Sequence, residues 1–371
     1  MKQKVLVPRA IFPETIALLA QHFEVDDNPH DLPLSTQAFA QRLAGAHGVL
    51  LFGEPLGAEQ LRDAPSLRAA SNMSVGFNNL DLPALTQAGV LASNTPDVLN
   101  ETTADFAWAL MMAAARRVGE AERWLREGHW NGWAYQQFLG ADVHGSTLGI
   151  IGMGRIGRAI ARRARGFDMN VVYHNRSRLP AEQEHEARAG YLELDELLAQ
   201  ADHVMLVAPY SAATHHLIGA RQLGLMKATA TLTHIGRGGV VDDAALIDAL
   251  QQRRIAAAGL DVFENEPRLA PGFLQLPNVV LTPHMAPASE ATRRKMATMA
   301  ANNLILSLGG QLGPHTLNPK PSTFEPYSTG ATHEHAPQRI QGRTGPARAA
   351  VRHLGWFRHR LWRRDHRRFW L

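Results

Sequence analysis

A glycine-rich turn and one arginine are the first residues whose type and spacing suggest chemistry. Gly152, Gly154 and Gly157 stand in LGIIGMGRIGRAIARRA (148–164), directly after an apolar run and at the opening of a helix-like one. That order suits a dinucleotide pyrophosphate. Gly152 permits a tight turn, Gly154 lets the backbone approach the phosphates, and Gly157 lets the helix pack on the strand. The helix start supplies N–H donors and the positive end of its dipole. The next apolar run, VVY (171–173), leads into His174-Asn175-Arg176-Ser177-Arg178. An acid ordinarily accepts from the ribose 2′-hydroxyl at this place, and none is present. Asn175 is neutral, while Arg176, Ser177 and Arg178 suit a 2′-phosphate, so NADPH is the expected cofactor and NADH a possible one. Further on, Arg237 lies in GRGG (236–239), where flanking glycines suggest close backbone approach to a ligand.

The elements that must position these residues alternate along the chain. VLV (5–7), GVLLF (48–52), LGIIG (148–152), VVY (171–173), VMLVA (204–208) and NVVLT (278–282) read as buried strands, with amphipathic stretches such as DDAALIDALQQRR between them. Continuously apolar strands alternating with helices predict parallel sheets covered on both faces, and 371 residues favour two such units. The fold class is therefore α/β with parallel sheets; two Rossmann-like domains with the active site in the cleft between them are expected. Residues 97–125 read as one long helix bridging the domains, and 290–310 as a second that carries the chain back. The expected boundaries are 1–100 plus 288–320 for a discontinuous substrate domain and 101–287 for the cofactor domain.

Composition excludes several classes. The chain has no cysteine, hence no disulfide, thiolate metal site or cysteine nucleophile. It shows no signal-peptide pattern and no membrane-spanning run, so a cytoplasmic protein is expected. The last 50 residues hold ten arginines, no lysine and three acids, so the formal charge of +4 resolves into +7 there and −3 on the rest. The basic pI belongs to that tail (321–371), which reads as disordered, and nucleic-acid binding by the body is not indicated. An acidic-membrane or nucleic-acid anchor is the weaker reading of the tail. His215-His216 and His333-Glu334-His335 are isolated sets without further ligands at useful spacing, so no metal is expected.

HIGRGGVVDDAALIDAL, AGLDVFENEP and NVVLTPHMAPAS follow in order, after SVGFNNLD near residue 74 and MGRIG. Together these motifs resemble the D-isomer-specific 2-hydroxyacid dehydrogenases, in the branch of glyoxylate/hydroxypyruvate and 2-ketogluconate (2-ketoaldonate) reductases, over residues 1 to 320. The resemblance implies NADPH-preferring reduction of a small 2-keto acid to the D-2-hydroxy acid by a homodimer. It implies that Arg237 binds the substrate carboxylate and polarises the keto oxygen, its planar fork matching a carboxylate. It implies that His284 donates the proton as hydride arrives, and that Glu266 orients His284 and raises its pKa. One histidine among 18, or a glutamate before proline, would not stand out alone. The resemblance further implies Arg155 and Ile156 at the pyrophosphate, Asp261 at the nicotinamide carboxamide, and Ile235 and Gly236 lining the nicotinamide pocket. It places Ala208, Pro209 and Thr214 toward the adenosine, and backbone N–H groups of Ser74, Val75 and Gly76 at the substrate carboxylate.

The sequence departs from the family at His234, where Asn is common, at Ala286-Pro287, where Gly-Ser is common, and at Asn78, where Asp is frequent. Trp130, Trp133 and Tyr135 reach either a substrate pocket or a dimer interface. Relatives of this fold also serve as NAD(H)-sensing corepressors, which makes a binding protein the alternative class, and a phosphorylated sugar acid is an alternative substrate.

Overall fold

The computed structural model describes residues 2–318; the basic stretch after Pro321, expected to be disordered, lies outside the described residues. Five strands, β1 (Lys4–Val7), β2 (Glu24–Asp27), β3 (Gly48–Leu51), β4 (Ala69–Asn72) and β5 (Leu91–Ser93), form one sheet in the order β2-β1-β3-β4-β5. Seven more form a second: β6 (Thr147–Ile151), β7 (Asn170–His174), β8 (Ala189–Tyr191), β9 (His203–Leu206), β10 (Thr231–His234), β11 (Ala257–Leu260) and β12 (Val279–Leu281). Their order is β12-β11-β10-β9-β6-β7-β8, and the paired strands of both sheets run parallel. The chain is thus two Rossmann-like α/β layers.

Each of the six apolar runs became a strand. The other six do not stand out in the sequence; several are short and polar or rich in small residues. β10 (TLTH) is buried at every position although half its residues are Thr, and β2 (EVDD) lies at a sheet edge. Within a strand, alternate side chains serve opposite faces. Ile151 joins Leu206 and Leu232 in one apolar cluster, while its neighbour Ile150 joins Met205 and Trp108 in another. Each fully buried aliphatic side chain stabilises by roughly 1.5–3 kcal/mol relative to exposure, so both faces of the sheet are fastened.

The expected single helix over 97–125 is two, Asn100–Ala115 and Val118–Arg126. Arg117 between them has φ 54, and its guanidinium grips Glu120 through two bonds of 2.8 and 2.7 Å. The Ala115 carbonyl accepts from Ala141 N at 2.9 Å, so a returning segment caps the first helix where a longer one would have continued. The second long helix, Glu290–Leu308, forms as expected. It touches the Asn100–Ala115 helix through the Thr102 and Thr292 hydroxyls, 2.6 Å apart, then lies along the first sheet, with Leu304 and Leu308 over Gly48.

Parallel strands place their C-terminal ends on one edge, and the loops there carry the motifs. Ser74–Gly76 follows β4, the glycine turn follows β6, GRGG follows β10, Asp261 follows β11 and His284 follows β12.

Candidate active site

The glycine turn separates two demands. Gly152 has φ 103, and a Cβ there would lie 2.7 Å from Ala208 N; one on Gly157 would overlap the Gly152 carbonyl. Both glycines are required by the chain's own backbone. A Cβ on Gly154 would meet nothing within 4 Å, so the turn is open on that face. The Arg155–Ala164 helix starts at this point, and its first N–H groups, those of Arg155 and Ile156 among them, have no intrahelical acceptor. The Arg155 guanidinium reaches Asp97 at 3.1 Å. An open cradle of donors fits a pyrophosphate.

Toward the ribose end, Asn175 Oδ1 accepts from Met153 N at 2.7 Å, so this side chain braces the glycine turn. Arg176 and Ser177 are exposed and without a partner among the described residues. Arg178 differs from expectation: its guanidinium holds Glu184 at 2.8 and 2.9 Å and lies over the Tyr191 ring. Of this set, Arg176 and Ser177 are left unpaired among the described residues. Ala208 packs against Gly152 and Gly236, and the Thr214 hydroxyl donates to the Pro209 carbonyl at 2.8 Å, shaping the turn after β9. Ile235 is buried beside Met153 and Met205.

Arg237 is half-buried, and burial pushes its pKa down while the charge of Glu266 opposes that shift. Its Nη1 donates to the Gly236 carbonyl at 2.9 Å and lies 3.5 Å from His284 Nε2. No carboxylate of the described residues comes within ion-pair distance. The guanidinium reaches across to the first sheet, where a Cβ on Gly76 would overlap it. There Asn72 Nδ2 donates to Ser74 Oγ (2.8 Å) and the Gly76 carbonyl (2.9 Å), and Asn94 Nδ2 to the Val75 carbonyl (2.8 Å). The carbonyls are occupied, whereas the N–H groups of Ser74, Val75 and Gly76 have no acceptor among the described residues. The glycines around Arg237 answer to something other than a ligand. A Cβ on Gly236 would lie 2.6 Å from the Ala208 carbonyl oxygen, and one on Gly238 would overlap the Phe263 carbonyl.

Beneath Arg237, burial holds the His234 pKa down at about 4, so the ring is neutral. Both its neighbours are carbonyls, Arg237 O at 2.9 Å from Nε2 and Leu206 O at 3.5 Å from Nδ1. A neutral ring carries one N–H, and the shorter contact identifies Nε2 as the donor.

His284 Nδ1 and Glu266 Oε2 are 2.7 Å apart. Burial alone would raise the Glu266 carboxyl, but the His284 hydrogen bond and charge, the Phe263 N–H and Arg237 outweigh it, leaving its pKa below the ordinary value. His284 has φ 51, the left-handed region that non-glycine residues avoid. Its N–H donates to the Asp261 carbonyl at 2.9 Å. The Asp261 side chain is fully buried and accepts from Thr282 Oγ1 (2.7 Å), Met285 N (2.8 Å) and Ala286 N (2.8 Å). The Asp261 carboxylate thus braces the turn that presents His284. A cavity of about 360 Å³ opens beside the pair, bounded by Phe263, Leu269, Leu274 and Leu281.

Two sets of residues named from sequence take on a setting that sequence did not show. His215 and His216, expected to lack further ligands, meet Glu264, with one potential ligand atom of each residue within 4.8 Å of the others. The two rings are stacked, 3.9 Å apart. The cluster works as a clasp. His216 Nε2 lies 2.5 Å from Glu264 Oε1, and Glu264 N donates to Asp243 Oδ2 at 3.1 Å, which pins the segment carrying Glu266. No local pattern announces pairs so far apart in sequence. Second, Trp133 and Tyr135 are 92% and 100% exposed, so within one chain they do not line the cavity beside His284.

The family model for the D-isomer specific 2-hydroxyacid dehydrogenase NAD binding domain matches residues 108–286. The chain is 44% identical over 323 residues to a glyoxylate reductase of Thermococcus gammatolerans, spanning 86% of this chain and 96% of that one. It is 44% identical to glyoxylate/hydroxypyruvate reductase B of Citrobacter koseri, spanning 86% and 99%. Among solved structures, it resembles the NADPH-dependent glyoxylate/hydroxypyruvate reductase of Sinorhizobium meliloti in complex with NADP and malonate. That likeness has TM-score 0.75 and 31% identity and covers 86% of this chain and 98% of that one.

The clasp yields a stability test. Burial, aided by the charges of Glu264 and Asp242, raises the Asp243 pKa to about 6. A raised carboxyl pKa contributes stability that is present below the unfolded value and is lost as pH rises through about 6. Asp243→Asn keeps an acceptor for Glu264 N without the charge. Its melting temperature should exceed that of the unsubstituted protein at pH 8, by roughly 2–4 °C per kcal/mol relieved, and the gap should close by pH 4. A gap independent of pH would refute the assignment.

Proposed function

The chain belongs to the D-isomer specific 2-hydroxyacid dehydrogenases, NAD(P)-dependent enzymes, in their glyoxylate/hydroxypyruvate reductase branch, and from that premise we propose that it reduces glyoxylate, hydroxypyruvate or a similar small 2-keto acid to the D-2-hydroxy acid with a preference for NADPH. One observation carries the proposal. Arg237, from the edge of the second sheet, meets both His284 Nε2 (3.5 Å) and the Gly76 turn of the first. The substrate domain would be residues 1–100 plus 288–320 and the cofactor domain 101–287.

In this reading Arg237 and the N–H groups of Ser74, Val75 and Gly76 hold the substrate carboxylate, which leaves the keto oxygen facing His284. Nδ1 of His284 is committed to Glu266, so the proton for the keto oxygen leaves from Nε2, the nitrogen turned toward Arg237. Glu266 keeps the Nδ1 proton in place and balances the charge of the protonated ring. Gly152, Gly154, Arg155, Ile156 and Gly157 would hold the cofactor pyrophosphate, with Arg176 and Ser177 at the 2′-phosphate. When bound, the nicotinamide supplies the hydride. His284→Gln should lower kcat by about 10²–10⁴-fold with NADPH binding, followed by fluorescence, retained. Near-normal turnover would sink the assignment.

The NADPH preference rests on the missing acid at Asn175 and on the unpaired Arg176. A charged hydrogen bond contributes about 1.5–3 kcal/mol. Arg176→Ala should therefore cut kcat/KM for NADPH by about 10–100-fold and leave NADH nearly unaffected. A clear NADH preference in the unsubstituted enzyme would refute this part.

The aromatic segment supports a homodimer. Trp130 is half-exposed, packs edge-on against Trp133, and lies near the freely exposed Tyr135. Such apolar surface is typical of an interface. Sedimentation velocity should give a species of about twice the 40.7 kDa chain mass; a monomer at micromolar concentration would exclude it.

A further inference from the structure

Adjacent arginines in the first turns of the Glu290–Leu308 helix have opposite surroundings. Arg294 bonds Glu290 at 2.8 and 3.0 Å, reaches Glu14, and sits over the Phe12 ring. Arg293 has no carboxylate, carbonyl or amide partner for its guanidinium among the described residues. It is half-buried, and its guanidinium carbon lies 4.6 Å over the Phe52 ring. Burial pushes its pKa down, and the charge of Asp261 opposes that shift without an ion pair. The Asp261 carboxylate is already occupied by Thr282, Met285 and Ala286.

Withdrawing a guanidinium from water without a counter-charge is unfavourable, and a cation–π contact returns only about 0.5–2 kcal/mol. The position gives the arrangement a purpose. Phe52 follows β3 directly, and β3 pairs with β4, whose loop carries Ser74–Gly76 against Arg237. Asp261, which feels the Arg293 charge, holds the turn of His284. Arg293 therefore stands between the same two sheet edges as Arg237 and His284, as a second unpaired cation on the cleft.

On the reading of the cleft given under Proposed function, on which this step rests, Arg237 takes the keto-acid carboxylate. We infer that Arg293, seated on Phe52, is a specificity residue that binds an oxygen-bearing group, best an anionic one, at the end of the substrate remote from that carboxylate. The preferred substrates are then 2-keto acids with a hydroxyl or second carboxylate next to the keto carbon, in preference to those ending in hydrogen or methyl. The five N–H donors of the fork suit such oxygens.

The test compares pairs that differ only at that end: hydroxypyruvate against pyruvate, and ketomalonate against glyoxylate. In Arg293→Ala each ratio of kcat/KM should fall at least about tenfold, as one charged hydrogen bond predicts, and Arg293→Lys should recover part of it. Ratios unchanged within about twofold overturn the inference. Should the unsubstituted enzyme turn over none of the four, the proposed function fails instead. The inference is then read by calorimetry with malonate on the NADP-loaded protein, where Arg293→Ala should raise Kd at least about tenfold. An unchanged malonate Kd overturns it.

Discussion

The site is organised around one buried carboxylate. Asp261 directly follows a strand of the second sheet, is fully buried, and receives three hydrogen bonds from the turn beyond the neighbouring strand. That turn contains His284 at φ 51, a backbone state that costs about 1–3 kcal/mol for a non-glycine residue. Hydrogen bonds to an ionised group contribute about 1.5–3 kcal/mol each, so three of them exceed the strain. With the turn held, the imidazole cannot follow solvent, and its two nitrogens face fixed partners, Glu266 on one side and the Arg237 guanidinium on the other. Glu266 is held in turn by the Phe263 N–H, next to the segment that Asp243 and His216 clasp through Glu264. The position of one proton thus depends on contacts spread along the second sheet.

Charge sorting gives the cleft its sign. The chain before residue 322 is formally negative, and several of its arginines are matched: Arg9 with Asp31, Arg221 with Asp195, Arg294 with Glu290. The unmatched ones of the described residues include Arg237 and Arg293, both half-buried at the sheet edges, and Arg176 past the glycine turn. A cleft that concentrates cations on an otherwise acidic body focuses field onto an entering anion. Keto acids and phosphorylated dinucleotides are both anions, and the same arrangement serves the two.

Local patterns made the framework legible. Continuous apolar runs marked half of the strands, and strand, turn and helix in direct succession marked the phosphate cradle. What sequence could not resolve was which atoms the conspicuous residues serve. The glycines of GRGG looked like room for a ligand, but they yield to the carbonyls of Ala208 and Phe263, more than 20 residues away on either side. The ion pair of Arg178 with Glu184 was not visible in the run of residues after Tyr173. The residues 97–125 had helical periodicity throughout, and the break at Arg117 comes from Ala141 returning to the Ala115 carbonyl. Phe52 and Arg293, separated by most of the chain, carry no motif at all. Except for Glu184, six residues from Arg178, the deciding partner is distant in sequence, and a period of two or 3.6 residues carries no information about it.

The departures from the family pattern follow the same logic, because what the fold requires at each place is a hydrogen-bonding function and not a residue type. His234 stands where Asn is common; buried and neutral, it still offers one N–H to the Arg237 carbonyl, as a side-chain amide could. Ala286-Pro287 stands where Gly-Ser is common. The Asp261 carboxylate takes the N–H groups of Met285 and Ala286, and the one that proline removes is the next along, which no acceptor in the turn requires. Both substitutions leave Arg237 and His284 held, while changing the shape and polarity of the surface around them. The placing of Arg237 and His284 is therefore buffered against these changes, and the substrate choice proposed for Arg293 would fall to a residue that the backbone network does not bind.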